Sequence, residues 1–153
     1  MLRKGKDLET TRRACERYRH TPVSILNFIE GTRFTREKHR KQQSLYRHLL
    51  RPKAVGFAHA LAAMDGRIKD IIDVTIMYPK APLDFWTYLC GKIPHIAGRI
   101  RKLPVPEDVL TGDYQNNQAF KDRFQSWVSG LWQEKDELIE AYRNGKDIRV
   151  SAE

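Results

Sequence analysis

Residues Glu30-Gly31-Thr32-Arg33 put a carboxylate, a glycine, a hydroxyl and a guanidinium into four consecutive positions. Glycine lets a backbone fold closely around a ligand, and arginine offers a planar fork matched to phosphate oxygens. Glu30 suits either of two tasks, holding Arg33 in place or accepting from a ligand hydroxyl. A tetrapeptide alone is weak, since an ordinary turn with an internal Glu–Arg pair has the same composition. What precedes it strengthens the signal. Val23 to Ile29 is a short, nearly continuous apolar run rich in β-branched residues, the pattern of a buried and parallel strand. A strand there delivers the tetrapeptide to its C-terminal end, where open α/β sheets bind ligands.

Cations crowd the same neighbourhood. Arg36, Lys38, Arg40, Lys41, Arg47, Arg51 and Lys53 follow within twenty residues of Arg33. Arg36 and Lys53 are candidates for phosphate or headgroup contacts. Residues 1–53 hold 15 Lys and Arg against 5 Asp and Glu, while the remainder holds 13 against 14. The whole excess of +9 therefore sits in the first third. Such asymmetry fits an anionic membrane surface, a phosphorylated small molecule or nucleic acid, and equally a solvated basic face.

The surrounding elements read as alternating helix and strand. Asp7 to Arg19 has helical spacing and ends before Pro22. The charged stretch from Arg33 to Arg51 reads as a loop. Pro52 opens a helix with Val55, Ala58, Leu61 and Ala62 on one face, and Asp65-Gly66 ends it. Ile71 to Tyr78 reads as a strand stopped by Pro79. Leu83 to Cys90 suits a short aromatic helix, and Ile96 to Arg101 a loosely patterned strand. From Asn117 to Tyr142, Phe120, Phe124, Trp127, Val128, Leu131, Trp132, Leu138, Ile139 and Tyr142 form one apolar helical stripe, with Gly145 as its stop. This alternation predicts an α/β fold: a mostly parallel sheet flanked by helices, closed by a long amphipathic helix. The acids along that helix's polar face favour core packing over insertion at anionic headgroups.

No apolar stretch approaches the roughly 20 residues of a membrane span, and no secretory signal pattern opens the chain. Cys15 and Cys90 stand far apart without metal-ligand spacing, so both read as small apolar core residues and no metal is expected.

Phe28-Ile29-Glu30-Gly31-Thr32-Arg33 resembles the third conserved block of the glycerolipid acyltransferase family, usually Phe-Pro-Glu-Gly-Thr-Arg. Leu50-Arg51-Pro52-Lys53 with Gly56-Phe57, then Asp73-Val74-Thr75-Ile76-Met77-Tyr78-Pro79, are similar to the following stretches of the lysophospholipid branch, in the same order. Ile29 departs from the family's proline. The resemblance implies acyl transfer from acyl-CoA, or from acyl carrier protein, to the hydroxyl of a lysophospholipid such as lysophosphatidic acid. It looks closest to the bacterial inner-membrane type, which implies a peripheral position at the cytoplasmic face of that membrane. Glu30, Gly31, Thr32 and Arg33 inherit the glycerol-phosphate site, and Pro79 a structural part beside it. No cofactor is implied beyond the acyl donor.

In that family a histidine removes the hydroxyl's proton, oriented by the aspartate of a His-x-x-x-x-Asp motif. Here the residues five positions after His20, His39, His48, His59 and His95 are Ile25, Ser44, Lys53, Met64 and Ile100. No catalytic residue is assigned. His39 reads as a solvated loop residue and His59 as a packed or hydrogen-bonded one. The expectation is that residues 1–153 form the C-terminal portion of one acyltransferase domain, inactive alone and lacking the catalytic half. The competing reading is a small basic nucleic-acid-binding protein, on the Arg-rich first third. No helix-turn-helix, RNA-recognition or zinc pattern supports it, so nucleic acid is not the expected partner.

Overall fold

A computed structural model describes residues 24–78, 85–92 and 95–145. In order, the elements are α1 (Arg36–Gln42), α2 (Ala54–Ala63), β1 (Asp70–Met77), α3 (Phe85–Leu89), β2 (Ala97–Pro104), α4 (Glu107–Leu110) and α5 (Gln118–Arg143). The helix expected over Asp7 to Arg19, Cys15 and Pro79 lie outside the described residues.

The core forms where α5 packs on α2 and α4. Asn117 caps α5 by accepting from the Phe120 N–H, and the stripe then buries Phe120, Phe124, Val128, Trp132 and Ile139. Phe124 has no exposed surface. The Phe57 ring of α2 meets it edge-on at 5.6 Å and stacks on Trp127 at 5.6 Å. Full burial of one such ring contributes about 2–3 kcal/mol, so this aromatic group anchors α2 to α5. The buried face of α2 is Ala54, Phe57, Ala58, Ala60 and Leu61. Val55 and Ala62 point outward, so the expected face is rotated. Helix α2 starts after Pro52, with Lys53 as its cap, and stops where Asp65 (φ +52°) and Gly66 (φ +73°) turn left-handed.

Strands β1 and β2 pair antiparallel, Asp70 opposite Pro104 through Met77 opposite Ala97. Among the described residues this two-stranded sheet is the whole sheet, and the parallel pairing suggested by the sequence is not among them. One face, with Asp73, Thr75, Met77, Arg99 and Arg101, turns towards the interior. The other, with Ile72, Val74, Ile76 and Ile100, is exposed. The strand expected over Val23 to Ile29 is not formed by its described part. Residues 24–28 carry no regular structure, and Leu26 and Phe28 are 81% and 77% exposed. A single strand is held by pairing, and no described strand lies beside this segment to satisfy its backbone groups.

Helix α1 interrupts the stretch read as a loop. Thr35 caps it with a hydroxyl that accepts from the Lys38 N–H. Cys90 is exposed, contrary to its reading as a core residue. His39 is held by the Tyr46 carbonyl at 2.6 Å rather than solvated, and His59 is in hydrogen-bond contact with Gln115 at 3.3 Å, as expected.

Candidate phosphate-binding site

Residues 28–31 make a tight turn, with the Gly31 N–H donating to the Phe28 carbonyl at 2.8 Å. Gly31 takes φ +66°, a conformation that costs other residues about 1–2 kcal/mol. The next strand of chain closes on this turn: the Lys53 N–H donates to the Ile29 carbonyl at 2.8 Å. The Lys53 ammonium consequently lies over the glycine, 3.3 Å from where a Cβ would stand.

From the other side Lys38 of α1 reaches back, donating to the Thr32 hydroxyl at 2.7 Å and to the Arg33 carbonyl at 3.3 Å. These two bonds fix the backbone that carries Arg33. Arg33 is exposed, and its guanidinium makes no hydrogen bond or ion pair among the described residues. Arg36 stands exposed at the first position of α1. The structure thus brings Gly31, Thr32, Arg33 and Lys53 to one turn, with Lys38 as an added clasp. Such an array of an exposed fork, an ammonium and a permissive backbone suits a phosphate group.

Glu30 makes no ion pair with Arg33 among the described residues. Its carboxylate turns inward and accepts from the Leu50 N–H at 3.1 Å. Burial pushes its pKa above the ordinary value, with the Leu50 hydrogen bond and the Lys135 cation pulling the other way. Leu50 is gripped from both ends, since the Trp132 indole N–H donates to its carbonyl at 3.1 Å. Glu30 therefore splints the turn to the strap at residues 47–53 while staying half-buried.

Helix α5 holds that strap. Asp136 accepts from the Arg47 N–H at 2.8 Å and the His48 N–H at 2.7 Å. His48 pairs with Glu140 at 2.6 Å, a hydrogen bond that holds the Glu140 carboxyl below its usual range. One residue along from Asp136, Lys135 is buried and binds Asp73 of β1, the Thr75 hydroxyl at 3.1 Å and the Val74 carbonyl at 3.1 Å. Arg101 of β2 joins Asp73 at 3.0 Å and Glu134 at 2.6 Å. Burial lowers the Arg101 pKa, but the hydrogen bonds it donates to Glu134 and Asp73, with the charges of both, outweigh that and leave the value raised.

Sequence reasoning missed this frame. One signal was present: Lys135 falls in the buried register of Phe124, Val128, Trp132 and Ile139, where a charge needs a partner. A broad groove along α5, lined by Tyr46, Arg47, Gln133, Asp136, Glu137 and Glu140, is acidic and includes none of the turn residues. Among the described residues no group of three or more His, Cys, Asp or Glu side chains is placed to hold a metal. No described helix is long and apolar enough to cross a membrane.

Comparison with known proteins gives this frame a context. The chain is 33% identical over 130 residues to the 1-acyl-sn-glycerol-3-phosphate acyltransferase gamma of Mus musculus, covering 78% of this chain and 32% of that protein. It is 28% identical over 152 residues to the delta enzyme of Rattus norvegicus, covering 90% and 37%. Against the 2-acyl-1-lysophosphatidylinositol acyltransferase of Saccharomyces cerevisiae it is 26% identical over 141 residues, covering 80% and 34%. The chain belongs to the lysophospholipid acyltransferase family. It spans about a third of the length of the curated relatives it matches. No family model matches the chain, and no solved structure does.

Proposed function

We propose that this chain supplies the phosphate-recognition part of an acyltransferase. That enzyme moves a fatty acyl group from acyl-CoA, or from acyl carrier protein, to the hydroxyl of a lysophospholipid such as lysophosphatidic acid. The observation that carries the reading is the turn at Gly31, where the exposed Arg33 side chain and the Lys53 ammonium accompany a left-handed glycine. Relatives named for 1-acyl-sn-glycerol-3-phosphate support the choice of a glycerol phosphate as ligand.

In this reading Arg33 and Lys53 bind the phosphate, Gly31 gives it room, and Thr32 with Lys38 fixes the loop. Glu30 acts behind the turn, through Leu50. Binding energy gained at the phosphate then positions the acceptor hydroxyl for attack on the acyl carbonyl. The base that takes the hydroxyl proton lies outside this chain, since no histidine here has an aspartate five positions on. Residues 1–153 act as the C-terminal portion of a larger, mostly parallel α/β domain. In it, residues 24–28 find the strand partner that the described residues lack. The basic first third favours a peripheral position on an anionic membrane surface, and the family resemblance implies the cytoplasmic face of an inner membrane.

A chimera tests this. The matching third of the mouse gamma enzyme is replaced by the aligned part of this chain, and acyl transfer to lysophosphatidic acid is assayed. Transfer is expected, and Arg33→Ala should cut it about 10- to 100-fold, the scale of one charge-assisted hydrogen-bond pair. A chimera expressed at full level whose transfer ignores Arg33→Ala would sink the reading.

A further inference from the structure

Between the β1–β2 hairpin and the last third of α5, positive charge exceeds what the acids neutralise. Three cations, Arg99, Arg101 and Lys135, share two carboxylates, Asp73 and Glu134. Both carboxylates are committed, Asp73 to Lys135 and Arg101, Glu134 to Arg101. Arg99 feels both carboxylates through space but makes no ion pair with either. Its Nε and Nη2 are buried without a hydrogen-bond partner, and so is Nη2 of Arg101.

The Tyr142 hydroxyl, two turns beyond Lys135 on α5, is the remaining buried side-chain polar atom without a partner among the described residues. Its ring meets His95 edge-on at 6.0 Å, just before β2 begins. Native interiors pair nearly all such atoms, so four orphans along one seam are informative. All four can donate. A planar carboxylate satisfies donors from few directions, whereas a phosphate offers three acceptor oxygens and the charge that guanidinium forks match. Both arginines keep part of their side chains exposed, which gives a small anion a way in without unfolding the hairpin.

We propose that Arg99, with Arg101 and the Tyr142 hydroxyl, forms a second phosphate-binding site between the hairpin and α5, separate from the turn at Gly31. The chemistry is that of a phosphate ester, carried either by the nucleotide part of an acyl donor or by a lipid headgroup. The proposal stands on these residues alone and does not need the acyltransferase reading.

Calorimetric titration of the full chain with inorganic phosphate, glycerol 3-phosphate and coenzyme A tests it, using wild type, Arg99→Met and Arg33→Ala. Arg99→Met should fold at least as well as wild type, since it removes a partly desolvated cation whose Nε and Nη2 are buried without a hydrogen-bond partner. It should also weaken one phosphate equivalent about tenfold or more, while Arg33→Ala leaves that equivalent intact. Loss confined to coenzyme A assigns the site to a donor, and loss confined to glycerol 3-phosphate assigns it to a headgroup. Unchanged affinity and stoichiometry for every ligand in Arg99→Met overturns the proposal. Should Arg99→Met fail to fold, near-isosteric Tyr142→Phe decides: severalfold weaker binding supports the site, and unchanged binding overturns it. Failure at Gly31 would remove only the Arg33-dependent equivalent, so the two outcomes are told apart.

Discussion

Lys135→Met is expected to lower the unfolding free energy by about 3–5 kcal/mol, the cost of removing one member of a buried ion pair. The Lys135 side chain is 9% exposed and so is that of its partner Asp73. Truncation strands that carboxylate with Arg101 alone and leaves the Thr75 hydroxyl and Val74 carbonyl without the donor they now share. A hydrophobic replacement of both partners, Asp73→Leu with Lys135→Met, should recover part of the loss, because no uncompensated carboxylate remains. Urea denaturation reads the difference. A loss below about 1 kcal/mol in the single variant would mean that this pair does not hold the hairpin to α5. The effect extends to the turn, since the Lys135 cation also acts on Glu30, which splints it.

Gly31→Val should be the most damaging single change at the turn itself. A left-handed conformation costs an ordinary residue about 1–2 kcal/mol and a β-branched one more, so a stability loss of about 2 kcal/mol is expected. The new Cβ would also come within 3.3 Å of the Lys53 Nζ and 3.4 Å of its Cδ. That side chain is flexible at its end and can move, so the steric term alone is cheap. Moving it, however, takes the ammonium off the turn, and glycerol 3-phosphate should bind about tenfold more weakly or worse. Gly31→Asn separates the two effects, because asparagine tolerates the left-handed region. It should keep most of the stability and still lose affinity. If Gly31→Val binds as the wild type does, neither the turn nor Lys53 contributes to recognition.

The elements easiest to read from sequence were those whose pattern and environment agree. The stripe from Phe120 to Ile139, bounded by Asn117 and Gly145, gives α5 almost to the residue. Asp65-Gly66 marks the end of α2 for the same reason, since positive φ leaves few residue choices. Helix α1 was hidden because nothing in it is buried, so no apolar period announces it, and only the Thr35 cap gives it away. In β1 the more apolar alternates, Ile72, Val74 and Ile76, face outward, while Asp73 and Thr75 face in. Hydropathy alone would turn that strand over, and the reason it does not turn lies in Lys135, sixty residues on.

The site divides in the same way. The turn at Gly31 was legible because glycine is tied to a left-handed conformation, whereas the proposed roles of Arg33 and Lys53 rest on their affinity for phosphate. The partner of Glu30 was not legible, since a carboxylate accepting from a backbone N–H twenty residues away leaves no mark on either residue. Nor does Asp136, whose two bonds to the strap span 88 and 89 residues. Long-range splints of this kind depend on where the backbone passes, and any acid at the right height of α5 would look the same in sequence.

The central claim is that the turn at Gly31 recognises a phosphate through Arg33. The most direct measurement is a glycerol 3-phosphate titration followed by NMR at the Arg33 side-chain Nε–H and the Gly31 amide. Both signals are expected to shift together and saturate, with Arg33→Ala weakening the binding about tenfold or more. Saturable binding that leaves both signals unmoved, or binding that survives Arg33→Ala unchanged, would contradict the account.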